Sequence, residues 1–241
     1  MREKYRPPEP EAIELEFYAA VVSVRDYEAA QHLWTARREA WLCGELEDQL
    51  VDQNIDFDRR HRSHVTNAVL SATAFLEGVV NSTWQDAYDS KESPHTNGIP
   101  GEALAEIAAS WEGNENYSKK PLLTRFKQAL KLANRDPMPG DVTHESIKTL
   151  VEIRDYVVHC RPRSRQVNVD DDLQRRLKPK IKENKLPIGS PWFPNKALGA
   201  GAAEWACKSS IDFARTWHQL IGLTHPFDDL YITSTGPFEV E

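Results

Sequence analysis

Helical periodicity sustained over two long neighbouring stretches constrains this chain more than any other feature. From Glu11 to about Val51, the residues Ile13, Phe17, Ala20, Val21, Val24, Ala30, Leu33, Trp34, Trp41, Leu42 and Leu46 recur at the spacing of one helix face. The stretch has no proline and one glycine, Gly44, at which a long helix either divides or continues at some cost. Asp56 or Asp58 then caps a second helix running to about Tyr88, with Val65, Val69, Ala72, Leu76, Val79 and Val80 on its apolar face. Such helices are stable only when other apolar faces cover them.

The rest of the chain supplies those faces. Residues Ser90 to Pro100 are a loop rich in Ser, Pro, Asn and Gly. A short helix follows over Glu102 to Trp111, then one over Pro121 to Asn134 with proline at its first turn. Asp136 to Asp141 is a sharp turn into a helix over Thr143 to Pro162, and Asn195 to Leu223 forms the last long helix. No alternation of strand and helix patterns appears, and in the last stretch, His225 to Glu241, Tyr231-Ile232-Thr233 is the only strand-like run. The fold class is therefore all-α, a bundle of four to five main helices. Residues 1–10 form a flexible proline-rich lead, 11–223 a single domain, and 224–241 a tail. A polar insertion over about 163–194 follows the Thr143 helix, with a further helix expected over Val169 to Glu183.

Composition narrows the class of partner. With 28% charged residues and a net charge of -7 the chain is not a globally basic nucleic-acid binder, although a local basic patch is compatible with it. Cys43, Cys160 and Cys207 lie far apart with no Cys-x-x-Cys pair, the pattern of reduced cysteines rather than a disulfide frame or a zinc site. No run approaches the ~20 apolar residues of a membrane span, and the N-terminus lacks a signal-peptide core. The expectation is a cytoplasmic protein with no membrane partner.

The one constellation that suggests chemistry is Arg154-Asp155-Tyr156-Val157-Val158-His159. At about 100° per residue, Ile147, Leu150, Val151, Val157 and Val158 gather toward a core, while Lys148, Glu152, Asp155 and His159 share the opposite side. Arg154 falls inside the apolar arc and needs a carboxylate, a phosphate or an interface edge as partner. Glu77, set among Leu70, Ala74, Val80 and Trp84, is a carboxylate with the same need, so a structural Arg154–Glu77 pair is one expectation. Asp155, one turn before His159, is placed to orient its imidazole. The other basic runs, Arg59-Arg60-His61-Arg62 and Lys178, Lys180 and Lys182, read as solvated, and the seven tryptophans as core packing.

Arg154-Asp155-x-x-x-His159 on a late helix resembles the R-[N/D/H]-x-x-x-H motif of the HEPN superfamily. The Phe75-Leu76-Glu77-Gly78-Val79-Val80-Asn81 segment on the second long helix and the alanine-rich closing helix agree in outline. The resemblance spans roughly Glu11 to Leu223 and implies a HEPN-like bundle, a homodimer and metal-independent endoribonuclease activity of the kind found in toxins and antiviral systems. An antitoxin or another defence-system protein is then a possible partner. In that family, motif helices pair across a two-fold axis. Arg154 and His159 lie about 140° apart on their own helix, so two facing copies can focus on one phosphate where one copy cannot.

The expected reaction uses the 2′-hydroxyl of RNA as nucleophile, with His159 as general base or acid, Arg154 neutralising phosphate charge and Asp155 orienting His159. Arg161, Arg163 and Arg165 would bind flanking phosphates. No cofactor or metal is implied, because no ligand spacing is visible in the sequence. A module of the same fold that is catalytically inactive and binds RNA, a nucleotide or a protein is the alternative.

Overall fold

The computed structural model describes residues 25–111, 120–139, 142–159 and 172–232. These form eight α-helices and no strand: α1 (Ala29–Asp52), α2 (Arg59–Tyr88), α3 (Gly101–Trp111), α4 (Leu122–Leu132), α5 (Val142–Val158), α6 (Asp172–Leu177), α7 (Ala200–Ile221) and α8 (Phe227–Tyr231). The all-α class follows. None of the described helices is long and apolar enough to cross a membrane.

The α1/α2 hairpin is the scaffold, α7 lies against both of its helices, and α5 packs on α2 and α7. Gly44 is carried within α1 without a break. Asp58 caps α2: its carboxylate accepts from the backbone N–H of Arg60 at 2.7 Å and of His61 at 3.0 Å. At the other end of the pair a Cβ on Gly78 would stand 3.0 Å from the Ala29 Cβ, so glycine lets the two backbones approach. Gly222, at φ 92°, ends α7 in the left-handed conformation glycine tolerates. The shared core is filled by Phe75, Trp84, Phe126, Phe213 and Trp217, with Phe126 edge-on to both Phe213 and Trp217 at 5.0 Å. Of the seven tryptophans only Trp84 and Trp217 are completely enclosed, and Trp34 is 37% exposed.

Several expectations are corrected. The strand-like Tyr231-Ile232 ends a short helix instead, and Tyr231 is buried against Phe75 at 5.5 Å between ring centres. Burial of the aromatic ring outweighs β-propensity there. Within the polar insertion, α6 covers only Asp172–Leu177, and Leu173, Leu177, Leu186 and Phe193 are all buried, so residues 172–194 belong to the packed body. The last long helix starts at Ala200, not Asn195, because Trp192–Lys196 form a separate turn and Gly199 is extended at the N-cap.

Candidate functional site

Helix α5 buries Ile147, Leu150 and Ile153 completely. Lys148, Glu152, Asp155 and His159 are all exposed on the opposite side, as their spacing requires. The core-facing stripe ends earlier than expected: Val158 is 52% exposed. The helix ends there too, with His159 in the following turn and its N–H donating to the Asp155 carbonyl at 2.9 Å. Arg154 sits on the border of the core, 31% exposed, with its Nε 3.0 Å from the Asp155 carboxylate. That Nε is shielded from solvent and makes no aligned hydrogen bond, so proximity of charge, not bond geometry, holds the pair. Among the described residues the Asp155 carboxylate forms its ion pair with Arg154 and no hydrogen bond with the His159 ring. The structure therefore groups Arg154, Asp155 and His159 at one helix end, with Asp155 turned to the arginine. Arg161, Arg163 and Arg165 lie outside the described residues.

Glu77 has a different partner from the expected one. The buried guanidinium of Arg125 on α4 donates to it and reaches Asn81 Oδ1 at 2.6 Å. Arg125 lies three residues after Leu122 and four before Ala129, inside the apolar arc of α4, so the signal that marks Arg154 marks it equally. Sequence periodicity places residues on faces and does not say which helix supplies the counter-charge.

The inner side of the α5 terminus is anchored. Tyr156 packs edge-on to Phe193 at 4.8 Å between ring centres. Beneath it, Arg62 of α2 donates to the Pro194 carbonyl at 3.3 Å and stands over the Phe57 ring, and burial lowers its pKa. One turn earlier on the outer side, Arg176 of α6 bridges Glu152 of α5 and Asp172. These contacts fix the helix and leave the Asp155, Val158 and His159 edge open.

The start of α2 is only partly the solvated run that was expected. Arg59 and Arg60 are exposed, but His61 is buried at 2%. Its Nε2 lies 2.7 Å from Glu47, itself 1% exposed on α1. Glu47 also accepts from the backbone N–H of Lys185 at 3.1 Å and of Ala200 at 2.8 Å, so it caps α7 from across the bundle. Burial works against its charge, yet the hydrogen bonds from His61, Ala200 and Lys185 prevail and hold its pKa below the ordinary carboxylate value. Cys43, one turn before Glu47 on α1, places its Sγ in the same cluster, 3.8 Å from the His61 carbonyl. Burial, then the neighbouring Glu47, pushes the thiol pKa up to about 12. The signal for this cluster was the i, i+4 spacing of Cys43 and Glu47; His61 was hidden beside Arg59 and Arg60, which do face solvent. Comparison of the chain with protein-family models, with curated proteins and with solved structures finds no match.

Proposed function

We propose that the chain is a HEPN-type endoribonuclease that cuts RNA without a catalytic metal, from a composite site made when two α5 helices face each other in a homodimer. The observation carrying this reading is the open edge at the end of α5, where a half-exposed Val158 stands among Arg154, Asp155 and His159. An exposed valine between charged groups suits a helix that pairs with its own copy, and pairing brings one protomer's Arg154 toward its partner's His159. His159 would then move the proton of the 2′-hydroxyl or the leaving oxygen, and Arg154 would neutralise the phosphate in the transition state. Asp155, held beside Arg154, sets the guanidinium rather than the imidazole within one protomer.

The test is cleavage of mixed single-stranded and structured RNA by the purified chain in EDTA, beside His159→Ala and Arg154→Ala, with oligomeric state measured in parallel. The reading expects a dimer whose cutting survives the chelator and falls at least ~100-fold in either variant. A folded dimer that binds RNA without cutting replaces the nuclease with a binding module, and a monomer removes the composite site.

A further inference from the structure

We propose that Cys43, Glu47 and His61 form a binding site for one zinc ion, at the junction of α1, α2 and the start of α7. Their donor atoms all lie within 4.8 Å of one another, and all three side chains are buried. Two helices of the scaffold supply them, Cys43 and Glu47 from successive turns of α1 and His61 from the capped first turn of α2. The site lies apart from Arg154 and His159 in composition and does not depend on the nuclease reading.

The donor set determines the ion. A thiolate, an imidazole and a carboxylate suit zinc, whereas magnesium and calcium take oxygen ligands alone. Thiolate and carboxylate together carry two negative charges, so a divalent cation leaves this enclosed site neutral. In tetrahedral zinc the ligand atoms stand about 3.5 Å apart. The His61 Nε2 to Glu47 distance of 2.7 Å must therefore open by somewhat under 1 Å, with the thiol already within 4.8 Å of both. On binding, Cys43 gives up its thiol proton to solvent, and Nε2 gives up the proton it now donates to Glu47, which passes to Nδ1 or to solvent.

Two further features fit. The Lys185 and Ala200 N–H groups already fix the Glu47 carboxylate, as outer hydrogen bonds fix the ligands of metal sites. Beside Glu47 a cavity of about 600 Å³ opens between α1 and α7, bordered by Gly44, Lys185, Ala200 and Gly201. Of the three ligand residues it borders Glu47 alone, so an ion would enter along that carboxylate.

The experiment takes the full chain, stripped with chelator and then titrated separately with zinc and cobalt, measuring metal bound per chain, thermal midpoint and the near-ultraviolet spectrum. The expected result is one zinc per chain, a raised midpoint, and a thiolate-to-cobalt charge-transfer band. Cys43→Ser should abolish the band, and both Cys43→Ser and His61→Gln should weaken zinc binding at least tenfold. A folded chain that retains no zinc at one equivalent, or that binds cobalt without the thiolate band, overturns the site whether or not the variants fold. Unchanged affinity in both folded variants does so as well.

Discussion

Arg125 of α4 and Glu77 of α2 form an ion pair in which the arginine is the enclosed member, 2% exposed against 32% for the carboxylate. The two partners therefore respond unequally to loss of the other. Glu77→Ala leaves a guanidinium in the core with Asn81 alone, and should lower stability by about 3 kcal/mol in urea unfolding. A double-mutant cycle should give a coupling above ~1 kcal/mol for Arg125 with Glu77 and close to zero for Arg154 with Glu77. A coupling between Arg154 and Glu77 as large as the first would reverse this assignment.

How much of this was legible in the sequence differs from residue to residue. The span of α2 was legible to within a few residues, since an aspartate cap at Asp56 or Asp58 and the loop from Ser90 are local signals, and the structure selects Asp58. The outward face of α5 was legible for the same reason. Counter-charges were not: that Glu77 meets Arg125, and that Glu47 meets His61, depends on which helix lies across from which. Nor did the pattern foresee that α5 would run past the core, leaving Val158 in solvent, because an apolar residue continues a stripe on paper whether or not anything lies opposite.

The open edge of α5 makes a prediction about assembly. Val158→Asp removes no core contact and should leave the unfolding midpoint of the monomer within about 0.5 kcal/mol of the parent. If the proposed α5 pairing forms the dimer, this variant should sediment as a monomer and lose the proposed RNA cutting. A variant that stays dimeric would place the two-fold contact elsewhere.

His218 on α7 predicts an acid dependence. Burial, then the neighbouring His95 and His225, brings its pKa from 6.5 down to about 4. Because the unfolded chain takes up this proton first, stability is full above about pH 6.5 and is lost as pH falls toward 4, to roughly 3 kcal/mol for this residue. Urea midpoints of the parent should fall more steeply over that window than those of His218→Gln. Parallel curves would show that His218 is not held neutral.

Gly78 tests the closest approach in the scaffold. Gly78→Ala puts a methyl 3.0 Å from the Ala29 Cβ and 3.1 Å from its Cα, and the latter is backbone that cannot turn away. The cost should be about 1–3 kcal/mol in the urea midpoint, against the gain of a few tenths to 1 that alanine normally brings to a helix. A stabilised variant would mean that the hairpin opens without strain.

The Glu47 carboxylate also orders events in time. Its backbone donors lie 138 and 153 residues along the chain, whereas His61 is 14 away. A nascent or refolding chain can close α1 on α2 locally but must keep Glu47 hydrated until the segment from Lys185 to Ala200 arrives, because a carboxylate does not enter a core ahead of its donors. Docking of that segment is thus the late, water-expelling step of folding, and native-state hydrogen exchange should find the Lys185 and Ala200 amides opening before the middle of the α1/α2 hairpin.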